Sequence, residues 1–88
     1  MWKFRLYVAD LTQRSVRALE NLTAFCEKEF SGRYTIEVVD VIANPKLART
    51  ENIVALPTLV RIKPAPMRRV IGDLSDTPRL ISGLRLSA

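Results

Sequence analysis

Few side chains in this sequence could carry covalent or metal chemistry. Among its 88 residues there is one cysteine, Cys26, and no histidine. A single thiol closes no internal disulfide. Without histidine, the usual zinc sets and the histidine-activated serine and cysteine nucleophiles are excluded. Cys26 falls on the apolar side of a helical repeat, where cysteine behaves as a small core residue. The carboxylates of Asp73 and Asp76 flank a predicted helix start, and capping with dipole stabilisation accounts for both. No second carboxylate or lysine is set against them. The sequence therefore predicts no catalytic residue, no metal site and no cofactor.

The chain carries 14 Lys and Arg against 9 Asp and Glu, a net charge of +5. That excess fits a generally basic surface, and it equally fits an acidic protein partner or nucleic acid. The densest basic group is Arg61, Lys63, Arg68 and Arg69. It lacks the interleaved aromatics of a single-strand platform, so nucleic acid is not the expected partner. Arg68 and Arg69 fit a solvated hairpin edge and a contact to an acidic partner equally well. No apolar run approaches the roughly 18 residues of a membrane span. The start, Met1 to Tyr7, alternates instead of forming a signal-peptide core. A cytoplasmic protein of one domain, residues 1–88, is expected. So small a chain has a modest core, which favours oligomerisation or partner binding.

The elements follow from periodicity. Phe4 to Ala9 reads as a strand, with Phe4, Leu6 and Val8 on one face and Arg5, Tyr7 and Ala9 on the other. After a loop at Asp10-Leu11-Thr12, with Thr12 as N-cap, Val16, Leu19, Leu22, Cys26 and Phe30 recur at helical spacing, flanked by Ala18 and Phe25. Ser31-Gly32 ends that helix. Tyr34 to Val41 is rich in β-branched residues and apolar on both faces, which suits an interior strand. Asn44 as cap and Pro45 in the first turn start a short helix. Thr58 to Lys63 and Arg68 to Ile71 read as a hairpin broken by Pro64-Ala65-Pro66. Gly72-Asp73 turns the chain, and Ser75 or Asp76 caps a last helix carrying Leu80, Ile81 and Leu84.

The predicted class is α/β, a single domain in the order βαβαββα, which is the thioredoxin-like order. An oxidoreductase of that fold resembles this chain everywhere except at its chemistry. It carries two cysteines, two residues apart, at the start of its first long helix. The matching stretch here, Asp10 to Ser15, holds no thiol. Pro57 stands where that fold places a cis proline. A redox fold without redox residues points to a binding module.

A more specific resemblance rests on ordered segments: Leu6-Tyr7-Val8-Ala9, Ser15 to Leu19, Val39-Asp40-Val41, Asn44-Pro45, Pro57-Thr58-Leu59 and Ile71 to Asp76. Together they resemble the KaiB family of bacterial clock proteins. The resemblance implies a non-enzymatic regulator with two packings of one sequence. One is a tetrameric ground state in the order βαββααβ; the other is a thioredoxin-like monomer. Only the monomer is expected to bind the N-terminal ATPase ring of a KaiC-type hexamer. It would then capture KaiA, where present, and displace a sensor histidine kinase. Slow conversion would involve proline isomerisation. The resemblance places Arg17, Asn44, Pro45, Lys46, Arg68 and Arg69 in regions used against KaiC or in the switch. The strand around Glu37, Asp40 and Val41 would face KaiA. Pro57, Pro64, Pro66, Gly72, Asp73, Ser75 and Asp76 fall in the rewiring segment.

Several positions depart from the family pattern. Asp10 stands where glycine is common, Ala43 where a lysine commonly precedes Asn-Pro, and Ala65 interrupts what is often a proline triplet. The usual acidic tail is missing after Ala88, which bears on the expected tetramer and KaiA contact. The alternative reading is the thioredoxin-like sensor module of a KaiC-interacting histidine kinase, which resembles this chain through its first half. A residual oxidoreductase is the third.

Overall fold

A computed structural model describes residues 1–10 and 12–86. Leu11 of the predicted loop, and Ser87 and Ala88 at the end, lie outside the described residues. The elements are β1 (Trp2–Val8), α1 (Gln13–Phe30), β2 (Tyr34–Asp40), α2 (Pro45–Thr50), β3 (Thr58–Lys63), β4 (Arg68–Ile71) and α3 (Thr77–Gly83). This is the predicted order βαβαββα. One sheet runs β2-β1-β3-β4. β1 and β2 are parallel, as a helical crossover requires, and β3 and β4 are each antiparallel to the preceding neighbour in the sheet.

The alternation of β1 divides the interior into two layers. Phe4, Leu6 and Val8 meet α1 through Leu22 and Cys26, and share that core with Leu59, Val70, Leu80 and Leu84. On the opposite face, Tyr7, Val39 and Val60 form a smaller cluster under Leu47, Ile53 and Leu56. Trp2 stacks on Phe30 with ring centroids 4.4 Å apart, closing the open end of the larger core.

Caps and turns largely follow the local signals. The Thr12 hydroxyl accepts from the Ser15 N–H at 3.2 Å, and Gly32 takes φ +74° just past the helix end. Asp76, not Ser75, caps α3 by accepting from the Arg79 N–H at 3.1 Å. Asn44 does not cap α2 through its side chain; its amide instead donates to the Asp40 carbonyl at 3.1 Å. The peptide bonds before Pro57, Pro64 and Pro66 are cis.

Three packing expectations are corrected. Val16 is 40% exposed, and Ser15, Ala18, Leu22, Phe25, Cys26 and Phe30 form the buried face of α1. At ~100° per residue, Val16 lies about 120° round the helix from Leu22, whereas Ser15 returns to within about 20°. β2 is an edge strand, not an interior one, and Val38 is accordingly 47% exposed. Its apolar residues on both faces reflect two clusters: Tyr34 and Ile36 lean on the α1 side, Val39 on the α2 side. β1 also begins earlier than expected, at Trp2, and ends before Ala9.

The basic group is likewise split by the pleat. Arg61 is 95% removed from solvent, inside the larger layer. It donates to the Leu84 carbonyl at 2.6 Å and the Pro66 carbonyl at 2.9 Å, with its guanidinium 5.8 Å from the centre of the Trp2 ring. It thus ties the end of α3 and the β3–β4 connection to the start of β1.

Truncating Leu22 to Ala should cost ~2–5 kcal/mol in urea unfolding. Val16→Ala should stay within about 0.5 kcal/mol. Equal losses at the two positions would return Val16 to the core.

Candidate functional site

The place of the redox centre in a thioredoxin-like fold is occupied here by a capped, thiol-free helix start. Thr12 donates its hydroxyl proton to Ser15 Oγ at 2.8 Å and Ser15 is buried. Asp10 adopts φ +55°, a left-handed conformation that glycine takes most easily and aspartate tolerates. Its N–H donates to Asp40 Oδ1 at 3.3 Å. Pro57 is buried directly before β3. Cys26 lies within the core, and burial, with Glu27 nearby, pushes its thiol up to about 12. A thiol held protonated at neutral pH is not a nucleophile.

The residues expected to meet partners separate into three places. Glu37, Asp40, Val41, Asn44, Pro45 and Lys46 run along the free edge of β2 and into α2. Glu37 pairs with Arg5 across the strands at 2.6 Å. Asp40 Oδ1 also accepts from the Ile42 N–H at 2.9 Å, which fixes the turn leading to Asn44. Asn44, Pro45 and Lys46 are exposed. Arg69 lies on the α2 side of the sheet, donating to the Asn52 carbonyl at 3.1 Å and to the Glu51 carbonyl. It ties the end of α2 to β4.

Arg17 stands elsewhere, on α1, with its guanidinium 3.8 Å from Asp73 Oδ2. Arg14, Arg79, Gly72, Ser75 and Asp76 line the same cleft. Hydrogen bonds from the Ser75 side chain and backbone hold the Asp73 carboxyl below its ordinary range, with Arg17 and Arg14 adding to the effect. The third place is Arg68, which shares the α3 side of the sheet with Arg61. The pair Arg68-Arg69 therefore faces two ways. Pro64 and Pro66 are exposed in the β3–β4 connection.

Two apolar residues that the motif reading passed over complete the α2 surface. Val54 is 89% exposed and Ile42 67%. Val54 borders a small apolar groove formed by Val41, Ala48, Ile53 and Leu56. The run Ile53-Val54-Ala55-Leu56, four apolar residues in a predicted loop, was the available signal. Among the described residues, no group of three or more Cys, Asp or Glu side chains could hold a metal ion. No helix there is long and apolar enough to cross a membrane.

The thiol and Tyr34 set the alkaline limit. Tyr34 donates its hydroxyl to Glu27 and is likewise pushed up to about 12. Unfolded, these groups ionise near ~8.5 and ~10. Both folded values are raised, so their stabilisation is full below the unfolded values and is lost as pH rises toward 12. Cys26→Ala should remove part of that alkaline slope in urea titrations between pH 8 and 11. At pH 8 the native thiol should resist iodoacetamide under conditions that label the unfolded chain completely. Equal labelling of both would show an accessible thiol.

Comparison with known proteins agrees with this geometry. Residues 5–86 match the KaiB domain family. The circadian clock oscillator protein KaiB of Thermosynechococcus vestitus is 50% identical over 82 residues, covering 93% of this chain and 76% of that protein. The protein of the same name from Prochlorococcus marinus (strain MIT 9313) is 51% identical, covering 93% and 69%. Among solved structures, the N-terminal domain of Synechococcus elongatus SasA superposes with a TM-score of 0.78 at 23% identity, covering 98% of this chain and 85% of that one. Mitochondrial thioredoxin 3 of Saccharomyces cerevisiae reaches 0.75 at 18% identity, covering 98% and 78%. These two likenesses establish a thioredoxin-like fold, and the sequence matches establish that the chain belongs to the KaiB family.

Proposed function

We propose that this chain is a timing regulator that works by binding, without catalysis of its own, and that its partner is the N-terminal ATPase ring of a KaiC-type hexamer. The observation that carries this reading is the match, near half identity over 93% of the chain, to proteins named circadian clock oscillator protein KaiB. The thiol-free helix start supports binding over redox chemistry. The same sequence match favours this reading over a detached kinase sensor module.

The contact surface centres on Asn44, Pro45 and Lys46, beside exposed Ile42 and Val54. An ammonium group beside apolar side chains suits a partner surface that combines a carboxylate with an apolar patch. Arg69 positions this surface from behind by holding the end of α2. The free edge of β2, from Glu37 to Val41, offers unpaired backbone groups to an added strand, which is how KaiA would join. Arg17 and Arg68 lie on the other side of the sheet. They contribute to the second packing or to a neighbouring subunit more directly than to this surface.

Two packings of the second half remain part of the proposal. Pro57, Pro64, Pro66, Gly72, Asp73, Ser75 and Asp76 lie in the segment that would rewire between βαβαββα and βαββααβ. KaiC would draw the thioredoxin-like form forward by binding it alone, releasing a tetramer or dimer to monomers. A sensor histidine kinase would compete for the same ring.

Titration against a nucleotide-loaded KaiC-type hexamer should give a saturable complex, and Lys46→Glu should weaken it by about tenfold or more, ~1.4 kcal/mol. Glu29→Gln, on the outer side of α1, should leave it unchanged. No complex at tens of micromolar would sink the proposal. Backbone chemical shifts of the free protein test the packing: helical shifts over Thr77 to Gly83 identify the thioredoxin-like form, and strand shifts over Ile81 to Leu86 identify the alternative.

A further inference from the structure

The geometry points to an oxyanion-binding cleft between β4 and the C-terminal end of α3, where Arg68 and Arg85 hold a phosphate- or carboxylate-type group in front of the buried Arg61. This goes beyond the KaiC-binding reading and does not depend on it.

The first observation is register. Arg61 of β3 and Arg68 of β4 are direct cross-strand partners. Like charges placed opposite each other on one face of a sheet repel. One strand over, Lys3 of β1 is the partner of Lys63 of β3, beside a bulge. This end of the sheet therefore sets cation against cation twice. The cleft beside it is lined by Met67, Arg68, Arg69, Ser82, Gly83 and Arg85, with no carboxylate side chain.

The second observation is unused hydrogen-bonding capacity. Arg61 is buried, and two of its nitrogens donate to the Pro66 and Leu84 carbonyls. Its Nε is shut off from solvent with no partner among the described residues, and the Nε of Arg68 is in the same condition. Neutral carbonyls satisfy donors but leave the charge uncompensated. Burial, and then Arg68, hold the Arg61 pKa below its ordinary value. Complementing the α3 dipole explains one cation at this helix end. It does not explain Arg68, which follows a connection from the other side of the hairpin. Arg69 borders the cleft, but its guanidinium is engaged behind the sheet by the carbonyls of Glu51 and Asn52, just past α2. An oxyanion between Arg68 and Arg85 would relieve the repulsion, and its several lone pairs match forked guanidinium donors.

The test is a titration of the intact chain with sodium pyrophosphate at constant ionic strength, followed by amide and arginine Nε chemical shifts. Saturable shifts should be confined to Met67 to Arg69, Ser82 to Arg85 and the Arg61 Nε–H. Arg68→Gln and Arg85→Gln should each weaken binding about tenfold or more, while Arg49→Gln on α2 should leave it unchanged. A parallel titration with a triglutamate peptide distinguishes the source: tighter binding of pyrophosphate assigns the cleft to phosphates, and tighter binding of the peptide to carboxylates. If Arg68→Gln does not fold, the exposed Arg85→Gln carries the test alone. Shifts that fail to saturate, that spread over all basic residues, or that weaken equally with Arg49→Gln would overturn the site.

Discussion

β1 is hydrogen-bonded along both edges and buries side chains on both faces, Phe4, Leu6 and Val8 on one and Tyr7 on the other, and that double burial imposes the two-layer arrangement around it. Phe4, Leu6 and Val8 need α1 and α3 above; Tyr7 needs α2 and the 53–56 segment below. An 88-residue chain has little material for two layers. The upper one receives an 18-residue helix, the lower one only six helical residues and a loop. The thin lower layer leaves Val54 and Ile42 without cover. The surface proposed for the partner is thus the side of β1 that α2 and the 53–56 segment leave partly uncovered.

Much of this fold was legible in the sequence because its signals are local. The strand alternation at Phe4, Leu6 and Val8, the glycine after Phe30, the proline after Asn44 and the prolines within the hairpin connection each act within a few residues. What was hidden depends on partners far along the chain. The phase of α1 is decided by which residues meet β1, so Ser15 enters and Val16 turns out. The edge position of β2 follows from β3 taking the other side of β1, which no local pattern in Tyr34 to Val41 records. Arg61 read only as one member of a dense group of four cations, and the placement of Leu84 and Pro66 shows that it is internal.

The candidate site was legible in a different sense. Absent thiols and histidine excluded whole classes of chemistry before any geometry was known. Positive assignments came through resemblance, and the structure separates them: Glu37 to Lys46 form one continuous strip, whereas Arg17 and Arg68 lie across the sheet. Adjacency in sequence misled at Arg68-Arg69, since a strand sends neighbouring side chains to opposite faces. Asp10 shows the reverse case, in which a departure from the family's glycine is accommodated by a residue type that tolerates positive φ.

The sealed environment of Cys26 has a physiological consequence. Sulfenylation, glutathionylation and disulfide exchange all begin from an accessible thiolate. The native chain keeps its one thiol buried and protonated, so thiol exchange finds no ready entry there. A thioredoxin-like protein built this way keeps the shape of a redox family while its one thiol stays out of reach of the chemistry that family performs.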